Sequence, residues 1–287
     1  MTLSINTDYL EDLGDPEPYL KSIADAGFSH INWCHQWDTD FLYSKWEIKQ
    51  IKKWLIKYGL QFMELHASTG KEKCWTSSRE YERLAGVELV QNRIEMTAEL
   101  GGDVMVIHVP HESGNVSLRR SLDQIEPFAR ACEIHLALEN GNFDVIEPLL
   151  LEYDSDYIGL CYDSGHSNLV KDGLSHLEAL KDRLISVHLH DNDGDSDQHI
   201  LPFSGTIDWQ KLIQIMAGSS YNKPINVEVL MHHMGDMAES IFLKQAFKLG
   251  KQLSRMFSEA RTDIRGRNSQ NENRELPFPA LEPVFAP

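Results

Sequence analysis

The apolar residues of this chain change period repeatedly, from alternation at every second residue to a helical repeat and back. That switching constrains the fold most, because a strand turns the same face inward every second residue and a helix roughly every 3.6. Strand-like runs fall at Leu3–Asn6, Ser29–Trp33, Gln61–His66, Val104–Val109, Leu136–Glu139, Ile158–Tyr162, Ser186–His190 and Ile225–Leu230. Amphipathic stretches follow them at Glu17–Ala26, Phe41–Tyr58, Arg79–Leu100, Ser121–Ile134, Val145–Tyr153, Leu174–Arg183, Trp209–Ala217 and Met237–Phe257. Strict alternation of strand and helix implies a parallel sheet with helices outside it. Eight such units suit a closed barrel better than an open doubly wound sheet. The first βα turn also lacks the G-x-G-x-x-G of a dinucleotide fold. The expected architecture is α/β: a single (β/α)8 TIM barrel over residues 1–258, then an irregular, polar and Pro-rich C-terminal tail over residues 259–287. Phe278, Leu281 and Phe285 of that tail are expected to dock on the barrel or on a neighbouring subunit, which leaves a homo-oligomer open.

Composition narrows the partners. The net charge is −17, which opposes a nucleic-acid partner, since phosphate backbones attract Lys/Arg surfaces. No apolar run approaches the ~20 residues of a membrane span. The N-terminal segment is acidic without an apolar core, so the expected location is the cytoplasm. Cys34, Cys74, Cys132 and Cys161 form no C-x-x-C pair and read as reduced thiols rather than disulfides or a thiolate zinc site.

The chemistry lies in where His, Asp and Glu fall. The third strand ends in Leu65-His66, the fourth in Ile107-His108 and the fifth in Leu138-Glu139-Asn140. The sixth runs into Asp163-Ser164-Gly165-His166, the seventh reads Val187-His188-Leu189-His190, and the eighth carries Glu228. In a barrel these C-terminal ends converge on one mouth, where the active sites of the fold sit. A carboxylate directly after an apolar strand is costly unless paired or metal-bound. Glu139, Asp163, His188 and Glu228 could therefore close around one ion, with positions left for substrate and water. A set of oxygens and imidazoles without sulfur suits Mn, Co, Mg or Zn alike.

The loop after the seventh strand adds Asp197 and His199, which reach the same mouth if the loop folds over it. An EF-hand starting at Asp191 would need Gly where Ser196 stands and Glu where Pro202 stands, so Asp191, Asp193 and Asp195 read as a solvated acidic turn. Trp75 and His111 read as packing or surface residues rather than substrate contacts.

Three stretches make the chain recognisable: Ala137–Asn140 (ALEN), Cys161–Leu169 (CYDSGHSNL) and His188–Trp209 (HLHDNDGDSDQHILPFSGTIDW). From about Leu3 to about Phe257 it resembles the xylose isomerase-like barrel superfamily, which groups sugar phosphate isomerases and epimerases with endonuclease IV. The resemblance implies that Glu139, Asp163, His188 and Glu228 hold a divalent metal. It makes Glu139 and Glu228 the acid/base pair and His166 a substrate contact. His66, His108, Asn140 and His199 are expected to line the substrate site. Positions matching the three-zinc pattern of endonuclease IV are also present: His66, His108, Glu139, Asp163, His166, His188, Asp197, His199 and Glu228. They supply a second candidate metal cluster from His66, His108, His166, Asp197 and His199. Phe203-Ser204 stands where a Gly-Glu style turn is usual, and Asn192-Asp193-Gly194 stands where ketose 3-epimerases carry an Arg.

Two activities follow. The first is an isomerase or epimerase acting on a small-molecule sugar through proton abstraction α to a carbonyl and an ene-diolate, with keto-sugar elimination starting the same way. The second is multi-zinc phosphodiester hydrolysis at abasic DNA, which the charge opposes.

Overall fold

The computed structural model describes residues 2–10, 14–34, 42–67, 73–110 and 114–272, with side chains to residue 266. Eight parallel strands run β1 (Leu3–Asn6), β2 (His30–Trp33), β3 (Gln61–Ala67), β4 (Val104–His108), β5 (His135–Glu139), β6 (Ile158–Asp163), β7 (Leu184–His188) and β8 (Ile225–Val227). The helices are α1 (Glu17–Ala26), α2 (Lys45–Tyr58), α3 (Glu80–Leu100), α4 (Val116–Ala131), α5 (Phe143–Glu152), α6 (Ser164–Asn168), α7 (Gly173–Leu180), α8 (Trp209–Ala217) and α9 (Glu239–Glu272). The strands hydrogen-bond in the order β7-β6-β5-β4-β3-β2-β1-β8. The ring closes just past the end of β7, where Leu189 N donates to Asn226 O and Glu228 N donates to Leu189 O, each at 3.1 Å. The expected (β/α)8 barrel is what the chain forms.

Local chemistry explains the element ends. Ser44 and Glu47 form a reciprocal capping box that starts α2, and Gly59 stops it at φ 67°, a left-handed turn that a side chain would resist. Asp208 caps α8 through a bond from Lys211 N.

Two expectations moved. The tail from residue 259 was expected to be irregular, but α9 continues to Glu272, so its first residues extend the last helix. Phe278, Leu281, Phe285 and His111 lie outside the described residues. The short helix α6 was not anticipated: Asp163 ends β6 and its side chain accepts from His166 N, so one residue closes the strand and caps the next turn.

Alternation along each strand divides the protein into an apolar shell and a polar lumen. Leu3, Ile5, Ile31, Leu65, Met105, Ile107, Leu136, Leu138, Ile158, Leu160, Val187 and Val227 pack against the helices. The opposite face of β4, β5 and β6 contributes only a small apolar cluster of Val104, Val106, Ala137 and Cys161, with Ile185 from β7 against it. The remaining space is filled by Ser4, Asn32, Glu64, Ser186, His188 and Asn226, all at 0% exposure. The last inward positions of β3 to β6 and the equivalent positions on β7 and β8 are thus His66, His108, Glu139, Asp163, His188 and Glu228, two residues beyond Glu64, Val106, Ala137, Cys161, Ser186 and Asn226.

Candidate metal centre and active site

Glu139 (2% exposed), Asp163 (0%), His188 (0%) and Glu228 (7%) occupy the C-terminal mouth of the barrel. One ligand atom from each lies within 4.8 Å of the others. His188 Nδ1 sits 2.9 Å from Glu228 Oε2 and 3.5 Å from Glu139 Oε1. None of these contacts is aligned as a hydrogen bond at the atoms that matter: Glu139 Oε2, Glu228 Oε2 and His188 Nδ1 are all buried without a hydrogen-bond partner. Buried polar atoms normally find partners, and leaving one unmade costs about 1–3 kcal/mol, more for a charged group. Three such orphans, on three of the four residues whose ligand atoms lie within 4.8 Å of one another, fit a bound divalent cation.

Electrostatics agree. Burial pushes the Glu139 carboxyl up, but the imidazoles of His108, His188 and His66 outweigh it and hold the group well below the ordinary carboxylate value. Burial likewise raises Glu228, and His188 more than reverses it. Both side chains are carboxylates at neutral pH, ready to accept a proton or ligate a metal.

The flanking residues gather on one side of this centre. His66 Nε2 and His108 Nε2 lie 3.0 and 3.5 Å from Glu139 Oε2. The β7–α8 loop does fold over the mouth: Asp191 and Ile200 exchange backbone bonds of 2.9 and 3.0 Å. That hairpin brings Asp197 Oδ2 to 3.1 Å from His166 Nε2 and 3.2 Å from His199 Nε2. His166, Asp197 and His199 form a second group able to hold a cation. Asn140, expected as a substrate contact, is occupied otherwise. Its Nδ2 donates to Asp163 O at 3.0 Å and its Oδ1 accepts from Asp163 N at 2.6 Å. It braces the end of β6.

Other residues of the site escaped the sequence reading. His190 is fully buried with Nε2 3.0 Å from both oxygens of Asp163, and its ring stacks on His199 at 3.8 Å and 8°. Strand alternation should have sent it to the opposite face from Leu189, and that signal was available beside His188. Cys34 Sγ donates to Glu228 Oε1 at 3.9 Å. Asp191 is not part of a solvated turn: it is fully buried, and its oxygens accept from Trp209 Nε1 at 2.9 Å and Asn192 N at 3.0 Å. Asp193 is the turn residue, accepting from Asp195 N and Ser196 N. Phe203 adopts φ 68°, the backbone region for which the usual glycine is suited, and its ring leans on Trp209 at 5.4 Å. Trp75 is packed at 2% exposure.

The His166–Asp197–His199 group predicts a pH response of the metal-free protein. Burial lowers His199, yet Asp197 raises it to about 9; burial lowers His166, yet Asp163 and Asp197 raise it to about 11. A folded pKa above the unfolded value stabilises fully below about 6.5 and loses that contribution as pH rises through the folded value. Chelator-treated protein is therefore expected to lose thermal stability from pH 7 through 9 and beyond, and Asp197→Asn is expected to flatten the slope. Identical slopes in the two proteins would show that Asp197 does not hold the imidazolium charges.

With the geometry established, comparison places the chain. Residues 20–248 match the family described as xylose isomerase-like TIM barrel, and the protein belongs to that family. It is 32% identical over 279 residues to the uncharacterised protein y4fM of Sinorhizobium fredii, an alignment covering 84% of this chain and 89% of that one. Among solved structures, a D-tagatose 3-epimerase-like protein superposes with TM-score 0.74 at 22% identity, covering 90% of this chain and 99% of that one. An L-ribulose 3-epimerase gives 0.74 at 16% identity, covering 92% and 97%. The 3-keto-D-glucoside 4-epimerase of E. coli gives 0.68 at 18% identity, covering 86% and 98%. Among the described residues, no helix is long and apolar enough to cross a membrane.

Proposed function

We propose that this protein is a divalent-metal-dependent isomerase or epimerase of a sugar or sugar derivative. The observation that carries the reading is the pair of buried carboxylates Glu139 and Glu228 on either side of His188 Nδ1, at 3.5 Å through Glu139 Oε1 and 2.9 Å through Glu228 Oε2. Glu139, Asp163, His188 and Glu228 would hold the metal, which when bound supplies a positive charge against the negative charge of an ene-diolate. Family membership and the epimerase names of the superposed structures support the class.

The chain's own groups then divide the work. One of Glu139 and Glu228 takes the proton α to the carbonyl, and the other returns one. Beside them stand His66, His108, His166 and His199, a set of ring N–H groups and lone pairs suited to sugar hydroxyls. The β7–α8 hairpin covers one side and limits water around the reacting carbon.

The test has two parts. Elemental analysis of protein purified without chelator is expected to give about one ion per chain, Mn, Co, Mg or Zn. Incubation with a panel of ketoses and keto-glycosides in deuterated water is expected to place solvent deuterium next to the carbonyl. Metal-loaded protein that exchanges no α-proton of any panel member would overturn the reading.

A second reading is kept by one observation: His66 and His108 against Glu139, with His166, Asp197 and His199 beside them, gives enough ligands for two or three zinc ions, as in a phosphodiesterase acting on abasic DNA. The net charge of −17 weighs against a DNA partner. Two or three zinc ions per chain with cleavage of an abasic duplex would favour it.

A further inference from the structure

Beneath the candidate metal centre, Glu64 of β3 is a carboxylate at 0% exposure that plays no part in the proposed chemistry. Its Oε2 accepts from Ser186 Oγ at 2.6 Å and its Oε1 accepts from Asn226 Nδ2 at 3.2 Å. Both donors are neutral. A buried carboxylate costs several kcal/mol unless a cationic or strongly polarised donor faces it. The remaining polar group facing it is His188, whose Nε2 lies 3.4 Å from Glu64 Oε1 and whose ring would be polarised by a cation on its other nitrogen.

The His188 ring is thus held edge-on between two layers. Nδ1 looks up at Glu139 and Glu228, and Nε2 looks down at Glu64. A neutral imidazole carries one proton, so only one of those nitrogens can offer a lone pair upward. The upper nitrogen can ligate a cation only if the proton is on the lower one.

Asn32 is compatible with the same assignment once its amide is turned. Its Nδ2 is placed 3.2 Å from His188 Nε2, while its Oδ1 is buried without a partner. Amide oxygen and nitrogen are assigned from the bonds they make. Rotating the amide by half a turn sets Oδ1 against Nε2, which then requires a proton on Nε2, and moves Nδ2 to the place Oδ1 held.

We propose that Glu64 is a positioning residue for the metal centre: from inside the barrel it accepts the Nε2–H of His188, fixes the ring and its tautomer, and so turns the Nδ1 lone pair toward Glu139, Asp163 and Glu228. The proposal rests on the reading of those four residues as a metal site. A carboxylate behind a ligating imidazole orients the ring and raises its basicity, and removing such a partner costs 10–100-fold in metal affinity. The place of Glu64 on the chain follows from register: Glu64 and His66 are consecutive inward residues of β3, so one strand provides both the support of His188 and an imidazole beside Glu139.

The experiment uses the full chain, stripped with chelator and titrated with Zn2+, which binds imidazole and carboxylate ligands strongly whatever the native metal is. Occupancy is followed at the ring signals of His188 by proton–nitrogen correlation, assigned with His188→Asn. In the Zn2+-loaded wild type, His188 is expected to show a solvent-protected Nε2–H shifted far downfield by its carboxylate acceptor. Glu64→Gln, which keeps the shape and one acceptor oxygen, is expected to weaken Zn2+ at this site by about 10-fold or more and to move that proton upfield. Glu64→Asp, a carboxylate set back by one carbon, is expected to fall between the two.

A wild type with no protected Nε2–H overturns the proposal without recourse to a variant. So does a Glu64→Gln protein whose Zn2+ affinity stays within about twofold, or one that binds more weakly with the ring signal unmoved, which is the mark of general loosening. A wild type that binds no Zn2+ through His188 removes the metal reading itself, and the Glu64 proposal with it.

Discussion

Glu139→Gln and Glu228→Gln are each expected to slow exchange of the substrate α-proton by about 10²–10⁴-fold, the usual contribution of a positioned acid or base. An amide keeps the volume and one acceptor oxygen but cannot take up a proton at neutral pH. The two variants should differ in a diagnostic way. The residue that takes the proton is needed for solvent exchange from a given epimer, while its partner is needed to deliver a proton from the opposite side. Starting from one epimer, one variant is expected to lose both exchange and product. The other is expected to keep slow exchange without forming product, with the roles reversed when the opposite epimer is the substrate. Both carboxylates also face His188 at 3.5 Å or less. Metal content must therefore be measured beside the rate, so that loss of the ion is separated from loss of the acid/base group. Full activity of both metal-loaded variants would remove the two-glutamate mechanism.

The second large effect is expected from a methyl group. A Cβ built on Gly165 would meet His190 Cε1 at 1.9 Å and Nδ1 at 2.6 Å. The His190 ring cannot retreat, because the His199 ring lies parallel to it at 3.8 Å, and its Nε2 is engaged with both oxygens of Asp163. Gly165→Ala is therefore expected to push the α6 turn or the His190 ring out of place, to cost about 1–3 kcal/mol as overpacking does, and to disturb Asp163 in the same stroke. Calorimetry should show a lowered melting temperature, and elemental analysis a lowered metal content. Gly165→Ala combined with His190→Ala is expected to recover part of the stability without recovering the metal, since the clash is gone but so is the brace on Asp163. A Gly165→Ala protein that melts and binds metal like wild type would show that the turn yields freely.

The outer layer of this protein was legible in its sequence. The apolar stripe of Lys45–Tyr58 states a helix and the face it buries, and the short continuous apolar run of Val104–Ile107 states a strand buried on both faces. Boundaries shifted by a few residues where capping decides them: α4 begins at Val116 because Asn115 caps it, five residues before its apolar face starts to read as a helix. The strand-end residues were equally legible, since Glu139, Asp163 and His188 are costly in those apolar runs unless something pairs with them.

The lumen was not legible, and the reason is physical. Glu64 looks like a strand carboxylate of either face until the barrel closes and brings Ser186 and Asn226, more than a hundred residues away, within 3.2 Å of it. Asn140 reads from the sequence as a substrate contact, but only the packing of β5 on β6 shows both ends of its amide bonded to Asp163. Asp191 and Asp193 are two residues apart in one acidic run, and burial under Trp209 separates them into a clamp and a turn. Sequence by itself determined the elements, their order and the layer of His, Asp and Glu side chains at the mouth, because periodicity and the cost of burying charge act locally. Tertiary structure alone decided which groups those side chains meet, because a hydrogen-bond partner is chosen by distance in space, and closing a barrel makes neighbours of residues that the chain keeps far apart.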